Sequence, residues 1–73
     1  MEENRDLNRL KVVLADKKRT NKWLAEKLGI GQATVSKWVT NTIQPDLSTL
    51  DKIAQALNVD VKELITSTEK EKR

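Results

Sequence analysis

The chain has 73 residues, with 14 Lys and Arg against 11 Asp and Glu, and it contains neither Cys nor His. This composition excludes disulfides and thiolate zinc sites, and it removes the commonest metal ligand and general base. No metal or other cofactor is expected. A core this small must therefore be stabilised by helix packing or by a partner subunit.

The positive charge lies in the first half of the chain. Residues 1–40 carry nine basic and five acidic side chains, a net charge of +4, whereas residues 41–73 carry five and six, a net charge of −1. This asymmetry suits a polyanionic partner, although chance bias on a solvated surface would look the same. With no apolar run near the roughly 20 residues of a membrane span and no signal region, a cytoplasmic protein is expected.

Apolar residues recur with helical spacing in most of the chain, which predicts an all-α fold of five helices in one domain, 1–73. The first helix is predicted to begin at about Asn4 or Asp6 and to end at Lys17. Its inner face would consist of Leu7, Leu10, Val13 and Leu14. An ordered core is expected over about residues 4–66, followed by a frayed polar tail, 67–73.

Two short helices are predicted next. Thr20 is a suitable N-cap for the second, Asn21–Leu28, and Gly29 can adopt the left-handed conformation that ends it. Ile30 is expected to enter the core from the turn, and a third helix to run from Gln32 to about Thr40. The inward residues of the two helices would be Leu24, Ala25, Leu28, Val35, Trp38 and Val39.

The last two helices follow a loop, Asn41–Pro45. Asp46 is predicted to cap the fourth helix, Leu47–Leu57, and Asn58 to follow its end. Asp60 and Glu63 have capping-box spacing, which predicts a fifth helix, 61–65. The inner face of the fourth helix would be Leu47, Leu50, Ile53, Ala54 and Leu57.

The stretch Asn21–Thr40 is the most informative, because two short helices joined by a three-residue turn with glycine form a helix-turn-helix. With LAEKLGI, VSKW, Pro45 and LSTLDKIAQALNVDVKELI, the chain resembles the lambda-repressor-like family (XRE/Cro type). The resemblance runs from about Leu10 to Ile65. TNKWLAEKLG, SKWVTN and QP resemble a compact single-domain subgroup. The resemblance implies a five-helix domain that binds double-stranded DNA through its second and third helices.

The family's docking geometry places the third helix in the major groove. It implies that Gln32, Ala33 and Lys37 face bases, where they suit adenine, the thymine methyl and guanine. Thr34 and Ser36 would lie near the groove walls. The residues implied to contact phosphates are Thr20, Asn21 and Lys22 at the start of the second helix, and Thr40, Asn41, Thr42 and Gln44 in the loop.

Each assignment has a plainer alternative. Gln32 and Lys37 are also ordinary solvated helix residues, and Thr34 and Ser36 are as readily inert. The spacing of Trp38 favours the core over base stacking. Trp23 leans outward, so either partial burial against the end of the first helix or a contact with a partner would account for it.

Two departures from the family concern its ion pair and its loop. Many relatives pair an arginine at the position of Leu14 with a glutamate at that of Val39, and replacing both members avoids a stranded buried charge. Leu14 and Val39 are therefore predicted to touch. The loop sequence NTIQ lacks the basic residues of many relatives, which predicts modest DNA affinity and a shallow salt dependence.

The preferred interpretation is a transcriptional regulator of a prokaryote or phage that is associated with the nucleoid. It would read a pseudo-palindromic operator as a homodimer, with Val61 and Ile65 as the candidate dimer surface. The alternative is an antitoxin or another protein-interaction module with the same fold. An enzyme is not expected, because the sequence lacks His, Cys, Tyr, a phosphate-binding glycine loop and a metal-ligand cluster.

Overall fold

The computed structural model describes residues 6–66, so residues 4 and 5 of the expected core and the tail 67–73 lie outside the described residues. Four α-helices follow one another: α1 (Leu10–Lys17), α2 (Asn21–Leu28), α3 (Gln32–Val39) and α4 (Leu47–Leu57). A 3-10 helix, Val61–Leu64, comes last. Over this range the backbone is helical apart from loops and one isolated antiparallel bridge, Asn8 with Ile65. The predicted all-α class is confirmed.

The first helix begins at Leu10, later than the sequence predicts. Before it, the backbone is tied to the C-terminal segment: Arg9 N donates to Leu64 O, and Thr66 N donates to Leu7 O, both at 2.9 Å. Leu7 is consequently 49% exposed, so its predicted place on the inner face is wrong. Apolar spacing is a local signal, and it cannot reveal that a segment distant in the sequence will satisfy these backbone groups.

The fifth predicted helix is a 3-10 helix of four residues instead of an α-helix, and it ends at Leu64. Asp60 makes no side-chain capping bond, contrary to the capping-box prediction. Leu64 is fully buried, whereas Ile65 is extended and 42% exposed. The bridge between Ile65 and Asn8 ends the helix at this point.

Three of the α-helices end with a residue in the left-handed conformation. These residues are Lys18 (φ 58°), Gly29 (φ 74°) and Asn58 (φ 60°). In each case the next residue donates its amide to the helix, as in Ile30 N to Ala25 O at 3.0 Å, which satisfies a free carbonyl of the last turn. The predicted helix ends at Lys17, Gly29 and Asn58 are confirmed.

The core is formed by all four α-helices and the 3-10 helix. α3 packs against α1 and α2, while α4 packs against α2 and the 3-10 helix. The buried apolar residues of the core are Leu10, Val13, Leu14, Leu24, Ala25, Val35, Trp38, Ile53, Ala54, Leu57 and Leu64. Leu28, Val39 and Leu50 are half-buried against this core. None of the described helices is long and apolar enough to cross a membrane.

Two further predicted core residues are exposed. Leu47 opens α4 and is 72% exposed, and Ile30 in the turn is 37% exposed. Leu47 has the spacing of the apolar residues of α4, but it is the first residue of that helix. Helical spacing identifies a face and not the length over which that face is covered.

Asp46 caps α4 as predicted, accepting a 2.8 Å bond from Thr49 N. Hydrogen bonding to the side chain of Thr49, and next to its backbone N–H, lowers the pKa of Asp46, with a smaller contribution from the charge of Lys52. Because the pKa is depressed in the folded state, the stabilisation is present above the unfolded-state pKa and is lost as the pH falls through the folded-state value.

We expect Asp46→Asn, which retains a capping oxygen, to remove this pH-dependent part of the stability. Chemical denaturation of both proteins from about pH 7 to about pH 3 measures it. The advantage of the wild type over the variant should shrink as the pH falls. A difference that is constant across this range would contradict the assignment.

Candidate nucleic-acid interface

The turn between α2 and α3 is held by backbone bonds at both ends. Ile30 N donates to Ala25 O, and Thr34 N donates to Gly31 O at 3.2 Å. Ala25 and Val35 are buried between the two helices. Gly31 precedes α3 with an extended backbone and has no side chain, so the first amides of α3 are not capped by a side chain.

The outer face of α3 carries the base-reading candidates. Gln32, Ala33, Ser36 and Lys37 are all exposed, whereas Thr34 is half-buried. Thr34 lines a surface pocket of about 170 Å³ together with Thr49 and Lys52 of α4. The four exposed residues form a surface of amide, methyl, hydroxyl and ammonium groups, which together can address the edges of bases.

Trp38 is buried with 6% exposure, as its spacing predicts. Trp23 is half-buried against the core, which confirms the predicted partial burial. The guanidinium carbon of Arg19 lies 4.5 Å from the centre of the Trp23 ring, in cation–π geometry. Arg19 directly follows the residue that caps α1, so this contact joins the end of α1 to α2. No sequence motif indicated this role of Arg19.

The N-terminus of α2 carries the first group of phosphate candidates. Thr20 Oγ1 accepts a 3.0 Å bond from Trp23 N and so acts as the predicted cap. Lys22 is exposed and Asn21 is half-buried. The amides of the first turn and the ammonium group of Lys22 together form a site of positive potential.

The loop after α3 carries the second group of phosphate candidates. Its side chains differ in how far they are already hydrogen-bonded within the protein. Thr40 Oγ1 donates to Ser36 O at 3.0 Å and lies 2.8 Å from Thr42 Oγ1, and both threonines are exposed. Asn41 has a positive φ of 61° and accepts backbone bonds from the segment before α1. Gln44 Oε1 accepts a 2.7 Å bond from Asn8 Nδ2. Asn41 and Gln44 are thus already engaged within the protein.

Asn8 is the residue near this interface that sequence reasoning missed. It is buried, and its amide reaches the last turn of α3. The sequence offered one signal for this role. Asn8 lies two positions before Leu10, and an Asn side chain often accepts a bond from the backbone amide two residues later.

The predicted contact between Leu14 and Val39 stays a prediction. Leu14 is buried, Val39 packs against the core, and α1 contacts α3. These facts place both residues in the same cluster without defining their separation.

Comparison with known proteins identifies the family. A model of the Cro/C1-type HTH DNA-binding domain matches residues 9–70. The chain belongs to the Cro/C1-type helix-turn-helix family. This confirms the resemblance to lambda-repressor-like regulators that the sequence motifs indicate.

A crystal structure of a protein from Bacteroides fragilis is similar to this Cro/C1-type domain. That protein carries a provisional assignment as a DNA-binding protein. The two chains are 55% identical, with a TM-score of 0.81, and the match covers 82% of this chain and 97% of the other. A comparison with curated proteins gave no significant match. The family and this structure support DNA binding as the general function.

Proposed function

We propose that the domain binds double-stranded DNA sequence-specifically, with α2 and α3 as its helix-turn-helix and α3 in the major groove. The observation that carries the proposal is the outer face of α3, where Gln32, Ala33, Ser36 and Lys37 are all exposed while Val35 and Trp38 anchor the opposite face. A short helix with a buried anchor and base-reading groups on its free side fits a recognition helix.

Each exposed group has a distinct role in this proposal. Gln32, in the first turn of α3, would pair with adenine, Ala33 would touch a thymine methyl, and Lys37 would donate to guanine. Ser36 would lie at a groove wall, and half-buried Thr34 would lie at the edge of the contact. The N-terminus of α2 and the loop Thr40–Gln44 would bind phosphates on the two sides of the groove.

The proposal extends to the biological role. A protein with this chemistry would act as a transcriptional regulator at the nucleoid and would read a pseudo-palindrome as a homodimer. Val61 is half-buried and Ile65 is 42% exposed, so an apolar surface is present near the C-terminal 3-10 helix. The antitoxin and protein-adaptor alternatives stay predictions, and an adjacent toxin-like gene would favour the first of them.

Selection from a pool of random duplex DNA tests the proposal. The protein is incubated with the pool, the retained duplexes are sequenced, and the cycle is repeated at rising salt. Enrichment of two half-sites about one helical turn apart would support both sequence reading and dimeric binding. Retention without an enriched motif would contradict sequence-specific recognition and would redirect the search to a protein partner.

The uncharged loop makes a second expectation testable. Because Thr40–Gln44 contains no cation, introducing one with Thr42→Lys should add a phosphate contact. We expect tighter binding and a log–log salt slope steeper by about 0.9. Fluorescence anisotropy over a salt series measures both. The control is Gln55→Lys on α4, which adds the same charge elsewhere, and an equal change in both variants would indicate a general charge effect.

A further inference from the structure

Asn8 is the one polar residue that is buried within residues 6–66, with 6% of its surface exposed. Its Oδ1 accepts a 2.9 Å bond from Leu10 N, at the start of α1. Its Nδ2 donates to Trp38 O at 2.9 Å and to Gln44 Oε1 at 2.7 Å. Both amide hydrogens and the oxygen of Asn8 are therefore hydrogen-bonded, and a buried polar group left without a partner would destabilise the fold. This saturation specifies a single orientation of the side chain.

Asn41 makes the return connection from the loop. Its Oδ1 accepts bonds from Leu7 N and Asn8 N, both at 2.9 Å, and its Nδ2 donates to Asn8 O at 3.3 Å. Gln44 Nε2 in turn donates to Asn41 Oδ1 at 3.2 Å. Three side chains thus join the extended segment before α1 to the loop after α3.

The loop is held to the end of α3 at the same place. Thr42 N and Ile43 N donate to Lys37 O, at 2.8 and 3.3 Å. The carbonyl of the next residue, Trp38, accepts the bond from Asn8. Asn8 and the loop backbone therefore bond to neighbouring carbonyls at the end of α3, although Asn8 lies 30 positions before Trp38.

We propose that Asn8 is a positioning residue for DNA binding, which holds the loop Thr40–Gln44 where it can contact phosphate while Asn8 itself stays buried. The inference rests on the proposed function, because it explains how the loop Thr40–Gln44, one of the two proposed phosphate sites, is held in position. Phosphate contacts set the register of a protein on the duplex, so a displaced loop weakens binding at any sequence. A binding site works only when hydrogen bonds and packing from the residues behind it hold its contacting groups in the right geometry.

Asn8→Ser separates this role from helix capping, since Ser keeps an acceptor for Leu10 N and removes the amide that reaches Trp38 and Gln44. We expect affinity for the selected duplex to fall about three- to thirtyfold. Binding is measured at a temperature where circular dichroism shows the variant to be folded. The control is Ile53→Val, which removes one buried methylene from α4 without touching this network, and it should bind as the wild type does.

Amide hydrogen exchange supplies a readout that does not depend on DNA. The amides of Thr42 and Ile43 should exchange faster in Asn8→Ser, while that of Ile30, in the turn before α3, should not change. If Asn8→Ser does not fold, Gln44→Ala removes an exposed partner of the same network and is used for this exchange test. A wild-type protein that binds no DNA would overturn the proposed function. Amide exchange would still test whether Asn8 holds the loop in place. Unchanged affinity in folded Asn8→Ser, or unchanged exchange of Thr42, would overturn the role of Asn8.

Discussion

The double variant Gln32→Ala/Lys37→Ala should lose most of its preference for the selected duplex. Each good contact to a base edge contributes about 1–3 kcal/mol of discrimination. Removing both should therefore lower affinity for the selected site by about 2–6 kcal/mol, which is about 30-fold to about 25,000-fold. Weak binding to random duplex should fall much less, because the proposed phosphate contacts at α2 and the loop are retained. Titration with selected and scrambled duplexes at one fixed salt concentration measures the ratio.

The matched control is Gln55→Ala/Lys62→Ala. It removes the same two residue types from exposed positions of α4 and the 3-10 helix. It changes the net charge equally and leaves α3 intact, so it should keep the specificity ratio of the wild type. If both double variants lose affinity for both duplexes alike, the contribution of Lys37 is one of charge alone, and reading by α3 is wrong.

Leu24→Ala should strongly destabilise the protein, whereas Leu47→Ala should change its stability little. Leu24 is completely buried in α2, and truncating such a leucine costs about 2–5 kcal/mol. A chain of this length has a total stability of only about 4–11 kcal/mol. Because each kcal/mol shifts the Tm of a small domain by about 4–8 °C, we expect Leu24→Ala to melt at least about 10 °C lower. Thermal and urea denaturation followed by circular dichroism measures the loss.

Leu47 provides the comparison because the sequence predicts both leucines on inner faces. It is 72% exposed, so Leu47→Ala should stay within about 0.5 kcal/mol of the wild type. A large cost at Leu47 would mean that the start of α4 is covered in solution. Repeating the measurement at several protein concentrations would then show whether a second copy covers it, since only that source makes the Tm depend on concentration.

Local physical chemistry was sufficient to predict much of the fold. The spacing of Leu24, Ala25, Val35 and Trp38 identifies the inner faces of α2 and α3, since a helix repeats every 3.6 residues. Thr20, Gly29 and Asp46 mark helix ends, because each satisfies backbone groups through its own side chain or conformation. The exposed face of α3 follows from these assignments, since a short helix with one buried face must present the other.

Only the tertiary structure decided where α1 begins, that the last helix is a 3-10 helix, and which residues hold the loop after α3. The segment before α1 is not helical, and its backbone bonds go to Leu64, Thr66 and Asn41, all more than thirty residues away in the sequence. No local pattern encodes such partners. The exposure of Leu47, the first residue of α4, is likewise not visible in its helical spacing. The sequence by itself determined which residues could form helices, whereas the packing decided which backbone groups remained to be satisfied. Asn8 satisfies two of them, the amide of Leu10 and the carbonyl of Trp38.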